Sequence, residues 1–246
     1  IECNARAARS FPFVSKVVGL NLADAATSVM IGKPPKLARI NEDDLPHVGV
    51  KAALFSFTRL AGVDPVLGVE MASTGEVGCI AKDFESAYML AMESSKIFRP
   101  KKGILVSAGP EQEKMKFLPW AKKLTELGLK LYGTEGTAKF LQEHGVPAIA
   151  VAWPGQGSSS LPDPVELIRH KDVDLVLNIP KNLQRDELTR GSAIRQAATA
   201  FGCSIVTNME KMIAYASAME YYPQFSKSHV PTPLPPYRQA ISSANL

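Results

Sequence analysis

The feature that most constrains the fold is a regular alternation of short apolar runs and amphipathic segments after residue 102. The apolar runs predict five strands, at residues 103–108, 129–132, 148–152, 174–179 and 203–207. Between and after them the sequence predicts helices at residues 114–127, 138–144, 164–170, 191–201 and 210–221. Four of the runs are apolar and bounded by polar residues or turns, as strands buried on both faces are. The alternation therefore predicts an open, parallel α/β sheet with right-handed crossovers.

The first hundred residues show no such alternation. Their predicted elements are a helix at residues 21–31, a loop at residues 33–46, a strand at residues 48–57 and a helix at residues 84–95. Glycines at positions 75 and 78 are expected to interrupt a second extended stretch, and Asp83 is expected to cap the helix that follows it.

A polar hinge at residues 99–103 is the predicted domain boundary. It separates residues 1–100 from a second domain at residues 101–222. Five prolines lie between positions 223 and 236, and proline is unfavourable inside a helix. We therefore expect the last helix to end before residue 223, and residues 223–246 to form a proline-rich C-terminal tail.

The composition is that of an ordinary globular protein, with 46% hydrophobic and 21% charged residues. It argues against a disordered, collagen-like or disulfide-stapled chain. The sequence contains no run of 18 apolar residues, so no membrane-spanning segment and no membrane partner are predicted. Cys3, Cys79 and Cys203 are widely spaced and form no CxxC motif, so neither a zinc site nor a disulfide framework is indicated.

The formal net charge of +4 belongs to the second part of the chain. Residues 1–100 carry 11 basic and 11 acidic residues, whereas residues 101–246 carry 17 and 13. This excess is too small to indicate a nucleic-acid partner, which needs a concentrated basic face. It suits a small anionic ligand, although the net charge alone favours a solvated surface with a slight basic bias.

Glu2 and Asn4 stand two residues apart at the start of the chain. Alternate strand residues share a face, so the carboxylate and amide oxygens converge there, and Mg²⁺ or Mn²⁺ prefers such ligands. Phosphates and water would complete the metal's ligand set, and Arg6 and Arg9 follow closely enough to reach the same phosphates. Spacing alone favours the alternative, an edge strand with a solvated acidic residue. The chain starts without an initiator Met, as a strand cut midway, so it is expected to be part of a longer protein.

Residues 133–137, GTEGT, lie between the second predicted strand and its helix. Gly136 allows the backbone to approach a ligand closely, and the helix start presents unpaired amides. With the hydroxyls of Thr134 and Thr137, these amides form a small anion-binding cradle. The sequence is neither a P-loop nor GxGxxG, so ATP or dinucleotide binding by this half is not indicated. Simple capping of the helix by Thr137 is an equally good explanation.

Two further features lie where predicted strands end, which is the edge at which open α/β sheets bind ligands. Trp153 follows the third strand, and Asn178 lies near the end of the fourth, followed by Lys181 and Asn182. An aromatic wall, amide donors and one lysine suit a small carboxylate or phosphate compound. Taken singly, Trp153 is better explained as a core residue and Asn178 as a turn former; taken together, the residues favour a ligand site more.

No nucleophile–base pair stands out in the second half. Glu135 is a carboxylate placed to act as a base in the cradle, and nothing beyond its position supports that role. At the end of the fifth predicted strand, Thr207 and Asn208 are interpreted as caps of the last helix. The second half is therefore predicted to bind a ligand rather than to catalyse a reaction.

Two long segments give the chain a family resemblance. They are residues 1–16, IECNARAARSFPFVSK, and residues 70–77, EMASTGEV. They closely resemble the end of the second ATP-grasp domain of the carbamoyl-phosphate synthetase large chain, and the likeness runs over essentially the whole sequence. The resemblance implies that Glu2 and Asn4 bind the Mg²⁺ or Mn²⁺ that accompanies ATP. It also implies that Arg6 and Arg9 are catalytic, contacting the phosphates as carbamate is phosphorylated.

Residues from about 101 onward resemble the methylglyoxal-synthase-like regulatory domain that ends the same large chain. That implies a three-layer α/β/α domain with a five-stranded parallel sheet, following the C-terminal part of an ATP-grasp domain. Residues 133–137 match the ligand-binding turn of that domain, and Asn178 matches an asparagine lining the pocket. The predicted effector-binding residues are Thr134, Thr137, Trp153, Asn178, Lys181 and Asn182.

The effector differs between branches of this family. Bacterial members bind UMP or IMP, the pyrimidine-pathway fusion protein binds UTP and phosphoribosyl pyrophosphate, and the mitochondrial urea-cycle branch binds N-acetyl-L-glutamate. Residues 152–154, 178–182 and 236–239 resemble the last branch, except that Lys181 stands where it typically has another asparagine, and residues 183–192 depart from its pattern. The resemblance thus implies N-acetyl-L-glutamate and the mitochondrial matrix, with nucleotide regulation and a cytoplasmic location as the alternative.

The resemblance also implies partners and a limit to activity. The expected partners are the remainder of the synthetase chain and, where glutamine supplies the nitrogen, a glutaminase domain or subunit. The sequence contains little of the ATP site, so these 246 residues alone are expected to be inactive. A free-standing methylglyoxal synthase is a remote alternative, because it needs a carboxylate base after the third strand and residues 153–157 contain none.

Overall fold

A computed structural model describes residues 8–37, 40–41, 43, 45–59, 62–67, 71–155, 160–179 and 185–228. Within these ranges, no helix is long and apolar enough to cross a membrane. The same residues contain no group of three or more His, Cys, Asp or Glu side chains that could hold a metal ion.

The first part of the chain forms helices around a two-stranded antiparallel sheet. In chain order the elements are α1 (Ser10–Val18), α2 (Leu22–Met30), β1 (Val48–Leu54), β2 (Gly75–Ala81) and α3 (Phe84–Ser94). Asp83 caps α3 as predicted, because its carboxylate accepts a hydrogen bond from the amide of Ser86 at 2.8 Å.

Two sequence expectations for this region are wrong. The predicted strand at residues 48–57 ends at Leu54, and a short 3-10 turn, Phe57–Arg59, follows it. The rings of Phe55 and Phe57 stack there, 5.3 Å apart. The glycines at 75 and 78 do not interrupt the second extended stretch, since both are paired within β2.

Gly78 lies in β2 because helix α1 packs directly over it. A Cβ atom at this position would lie 2.5 Å from two ring carbons of Phe13. We expect Gly78→Ala to lower the free energy of unfolding by about 1–2 kcal/mol, since the ring must move off the strand. Gly75→Ala is the matched control, because its Cβ would meet only Leu54, at 3.7 Å. Urea unfolding of both variants tests this, and an equal loss in the two would contradict it.

The second part of the chain is the predicted α/β sheet. Its elements are β3 (Gly103–Ala108), α4 (Glu111–Glu126), β4 (Lys130–Thr134), α5 (Glu135–Glu143), β5 (Ile149–Val151), α6 (Pro164–Arg169), β6 (Leu175–Ile179), α7 (Arg185–Ala200), β7 (Ser204–Val206) and α8 (Met209–Ser228). The strand order is β5-β4-β3-β6-β7, and all neighbouring strands are parallel. The chain builds outward from β3 to one edge and then crosses to β6, so the order reverses between β3 and β6.

Helices cover both faces of this sheet, which confirms the three-layer prediction. One buried cluster contains side chains of α3, α4, α5 and α8 with one face of the sheet. The other face packs against α6 and α7 in a second cluster, which includes Leu105, Ile168, Val176, Ile194 and Ala198. We call it the α6–α7 cluster.

Strand positions were predicted more closely than helix starts. Strand β3 matches its prediction at both ends, whereas α4, α5 and α7 begin three to six residues earlier than predicted. The cause is that apolar periodicity marks only the part of a helix that is buried, and the first turns of these helices are polar.

The expected end of the last helix is also wrong. Helix α8 continues through Pro223 to Ser228, six residues into the segment predicted as a tail. A proline inside a helix removes one backbone donor and crowds the preceding turn, but the rest of the helix can persist when it packs well. Helix α4 likewise contains Pro119 in its interior.

Helix α3 connects the two parts of the chain by packing on α8. The phenol of Tyr88 donates to the carbonyl of Lys211 at 3.1 Å, and the phenol of Tyr215 donates to the carbonyl of Ile97 at 3.2 Å. The backbone amide of Phe98 donates to the hydroxyl of Ser204 on β7. The linking segment around the predicted hinge is therefore held against the sheet.

Candidate functional site

Three polar side chains lie in one row across the carboxyl ends of neighbouring strands. Ser107 of β3 is paired with Asn178 of β6. On the other side of β3, Thr134 directly follows Gly133, which is paired with Val106, the residue before Ser107. Each stands two residues beyond a member of the α6–α7 cluster, so all three side chains are on the face covered by α6 and α7. All three polar side chains are buried, among strand residues that are mostly apolar. The row lies at the point where strand order reverses, which is where open α/β sheets bind ligands.

Thr137 joins this row from the first turn of α5. The hydroxyl of Thr134 donates to that of Thr137 at 3.3 Å, and Thr137 donates to the carbonyl of Ala108 at 3.5 Å. The explanation that Thr137 caps the helix is therefore wrong. Thr134 occupies the N-cap position of α5, and the side chain of Thr134 makes no capping hydrogen bond. The two hydroxyls face each other at the end of the sheet, close to the unpaired amides of the helix start.

Residues 133–137 were expected to lie between a strand and a helix, but they belong to these two elements. Gly133 and Thr134 belong to β4, and α5 begins at Glu135 with no residue between strand and helix. This abrupt turn requires glycine at position 133, because a Cβ there would lie 2.9 Å from the backbone nitrogen of Ala138. Gly136, in contrast, is surrounded by open space, since a Cβ atom there would meet only the Lys114 ammonium, at 3.9 Å.

The sequence alone did not indicate Lys114 or Ser107. The ammonium of Lys114, on α4, donates to the carbonyl of Gly136 at 3.3 Å and lies 5.8 Å from the Phe140 ring centre. The sequence could have indicated Lys114, because it lies in the first turn of α4, and α4 starts at the same edge of the sheet as the candidate site. Ser107 is the polar residue in the otherwise apolar run of β3.

Trp153 follows β5 and packs, half-buried, against the α6–α7 cluster. It therefore borders the core without being buried in it, and it lies on the same face of the sheet as Asn178. Next to Trp153, the amide of Ala152 donates a hydrogen bond to the carbonyl of Pro162 at 3.0 Å.

Asn178 is not a turn former, because it lies within β6 and is only 2% exposed. Its side-chain oxygen accepts a hydrogen bond from Nη1 of Arg195 at 2.6 Å. Arg195, on α7, is fully buried, and its Nε and Nη2 donate to the two carboxylate oxygens of Asp64, each at 2.6 Å. Partial burial alone would raise the pKa of Asp64, but the hydrogen bonds and charge of Arg195 hold that pKa below its usual value.

Several predicted residues lie outside the described part of the chain: Glu2, Asn4, Arg6, Lys181 and Asn182. Arg9 is exposed, directly before α1. Of the predicted effector-binding residues, the structure brings Thr134, Thr137 and Asn178 to one edge of the sheet. The interpretation of Asn208 as a cap is confirmed, since its side chain accepts a hydrogen bond from the amide of Lys211 at 2.8 Å.

The fold and the position of this site define a class of domain. The family model described as "MGS-like domain" matches residues 116–207. A methylglyoxal synthase from Elizabethkingia anophelis NUHP1 aligns with 55% of this chain and 96% of its own, at 16% identity and a TM-score of 0.34. That score is too low to support any inference about this chain.

Proteins that match about 90% of the chain identify its relatives more narrowly than the domain match does. "Carbamoyl-phosphate synthase [ammonia], mitochondrial" of Aquarana catesbeiana is 41% identical over 232 residues, which are 90% of this chain and 15% of that protein. The same enzyme of Mus musculus is 40% identical over 89% of this chain, again 15% of that protein. "Multifunctional protein pyrABCN" of Emericella nidulans is 42% identical over 90% of this chain and 10% of that protein.

The chain thus contains an MGS-like domain, and as a whole it is homologous to the C-terminal regions of carbamoyl-phosphate synthases. It spans only 10–15% of the length of these relatives. The resemblance seen in the sequence is confirmed at this level. Relatives of the mitochondrial and the multifunctional type are similar to it to the same degree.

Proposed function

We propose that this chain is the effector-binding part of a carbamoyl-phosphate synthase, and that its effector is N-acetyl-L-glutamate. The whole enzyme would form carbamoyl phosphate from bicarbonate and ammonia with ATP. The observation that carries the proposal is the row of Ser107, Thr134 and Asn178, with Thr137, buried at the reversal point of the sheet.

The chemistry of these groups suits a small carboxylate. Threonine hydroxyls and an asparagine amide supply donors for carboxylate oxygens, and the amides that start α5 add partial positive charge. The Lys114 ammonium beside Gly136 adds a full charge at the same helix start. Trp153 would contribute an apolar wall, and Lys181 and Asn182 would complete the site from the segment after β6.

A nucleotide effector is the second candidate, because multifunctional relatives are as similar to this chain as the mitochondrial ones. The same hydroxyls and amides would then bind the phosphate of UMP or UTP. The first candidate would place the protein in the mitochondrial matrix, and the second in the cytoplasm. Partners in either case would be the remainder of the synthetase and, with glutamine as nitrogen source, a glutaminase domain or subunit.

The first residues would serve the catalytic domain. The carboxylate of Glu2 and the amide oxygen of Asn4 are the donor types that Mg²⁺ or Mn²⁺ prefers, so they would hold the metal that accompanies ATP. That metal would neutralise phosphate charge during transfer. Arg6 and Arg9 would contact the transferred phosphoryl group as charged donors.

Calorimetric titration of the 246-residue chain tests the effector. We expect saturable binding of N-acetyl-L-glutamate at one site and no saturation by UMP or UTP. Binding of UMP or UTP alone would establish the second candidate instead. Binding of none of the three would contradict an effector-binding role.

Removing the hydroxyl of Thr134 tests the site itself. We expect Thr134→Val to raise the dissociation constant for N-acetyl-L-glutamate about tenfold or more, because a hydrogen bond to a charged ligand is lost at constant side-chain volume. Thr125→Val is the matched control, since the hydroxyl of this half-buried threonine on α4 donates to the carbonyl of Lys122 in its own helix. Equal affinities for the two variants would show that the ligand binds elsewhere.

In the full-length enzyme the same site predicts a specific kinetic pattern. Thr134→Ala or Trp153→Ala is expected to raise the activator concentration needed for half-maximal activity and to spare the activity at saturation. Activator and ATP binding are then coupled reciprocally, so ATP with its metal would tighten effector binding.

A further inference from the structure

The fully buried Arg195 touches both parts of the chain. Its Nη1 donates to Asn178 at the candidate site. Its Nε and Nη2 donate to Asp64, which lies 131 residues earlier in sequence. Asp64 belongs to residues 62–67, in the segment between the 3-10 turn and β2. A second bond joins the same elements, since the side-chain amide of Gln196 donates to the carbonyl of Gly62 at 2.8 Å.

Arg195 determines which way the amide of Asn178 is turned. A guanidinium has only donors, so the atom that faces it must be the amide oxygen. The amide nitrogen is therefore directed away from Arg195. Loss of Arg195 would remove the hydrogen bond that fixes this orientation of the amide oxygen, and with it this fixed direction of the amide nitrogen.

The structure makes room for this arrangement at Gly191. A Cβ atom at Gly191 would lie 2.8 Å from Nη1 of Arg195 and 3.5 Å from the side-chain oxygen of Asn178. The guanidinium thus lies directly against the backbone of its own helix, one turn back. Charge and geometry both hold it there, because the pair with Asp64 is bidentate and Arg–carboxylate pairs of this kind are geometrically specific.

We propose that Arg195 is a positioning residue of the effector site, which orients Asn178 to donate to the ligand and links ligand binding to residues 62–67 through Asp64. This rests on the proposed function, because it requires a small anionic ligand at the row of Ser107, Thr134 and Asn178. The ligand recognised is one with a carboxylate or phosphate oxygen that accepts from Asn178. Binding is then stronger when Asp64 holds Arg195 in place, and by reciprocity the ligand holds residues 62–67 on α7.

The test compares three variants of the 246-residue chain, each titrated with N-acetyl-L-glutamate and with UMP. Asn178→Asp keeps an acceptor for Arg195, but it removes the donor and adds a negative charge that repels the anionic ligand. We therefore expect affinity to fall at least about tenfold without loss of thermal stability. Asp64→Asn removes the charge that pairs with Arg195 and so weakens its hold on the guanidinium. We expect affinity for the ligand to fall about fivefold. Gln196→Ala is the control: it removes the second bond between α7 and residues 62–67 and leaves the Asp64–Arg195 pair in place. Its affinity should stay within about twofold of the unchanged chain.

A second readout separates positioning from general loosening. We expect ligand binding to slow hydrogen exchange at the amides of residues 62–67 in the unchanged chain, and to do so much less in Asp64→Asn at equal occupancy. Unchanged affinity in Asn178→Asp, or equal losses in Asp64→Asn and Gln196→Ala, would overturn the inference while leaving the proposed function intact. Failure of the unchanged chain to bind either probe would overturn the proposed function, and this inference with it.

Discussion

Replacing Asp64 by alanine is expected to lower the free energy of unfolding by about 3–5 kcal/mol, the usual result of removing one partner of a buried ion pair. Arg195 has no exposed surface, so the change strands a guanidinium whose remaining bond among the described side chains is that to Asn178. The charge cannot be relieved by loss of a proton, because arginine stays protonated in proteins. Denaturant unfolding at neutral pH measures the effect.

Arg195→Met is the matched comparison, because it removes the other partner. The Asp64 side chain is 30% exposed and can be hydrated once its partner is gone, so the stranded charge costs less. We expect a loss of about 1–3 kcal/mol, mostly from the unpaired amide of Asn178. A greater loss for Arg195→Met than for Asp64→Ala would contradict the role assigned to the pair.

Replacing Gly133 by alanine is expected to damage both stability and binding. The added methyl group would meet the backbone of α5 at Ala138, at distances of 2.9 and 3.1 Å, and a backbone cannot yield as a side-chain tip can. The start of α5 must therefore move away from β4, at a cost of about 3 kcal/mol. Because Thr137 moves with α5 and away from Thr134 on β4, affinity for N-acetyl-L-glutamate should fall about tenfold or more.

Gly136→Ala separates these two effects. Its Cβ would meet only the flexible end of Lys114, and alanine is favoured over glycine inside a helix by about 1 kcal/mol, so stability should be unchanged or higher. If the ligand approaches the start of α5 closely, binding should nevertheless weaken. Denaturant unfolding and titration of both variants measure this. Loss of stability in Gly136→Ala, or normal binding by a folded Gly133→Ala, would contradict the described geometry.

The sheet was predictable from sequence because its central strands, β3 and β6, are buried on both faces. Strand β3 is apolar over nearly its whole length and bounded by polar residues, and its predicted ends match the structure. Helix starts were not predictable to the same degree, since the first turns of α4, α5 and α7 are polar. The continuation of α8 past Pro223 was not predicted, because proline is unfavourable inside a helix.

The candidate site was predictable only in part. Thr134, Thr137 and Asn178 stand near predicted strand ends, so their convergence follows from the parallel topology. The bond between Asp64 and Arg195 joins residues 131 positions apart, and nothing local to either one indicates the other. Effector choice is equally hard to predict, because relatives of both types share the same degree of identity with this chain.

Hydrogen exchange of the 246-residue chain, with and without saturating N-acetyl-L-glutamate, tests the central claim most directly. The claim is that a small anionic effector binds where strand order reverses in the sheet. It predicts slower exchange at the carboxyl ends of β3 and β6 and in the first turn of α5, around Ala108, Ile179 and Thr137. Unchanged exchange at all three places, with ligand bound, would contradict it.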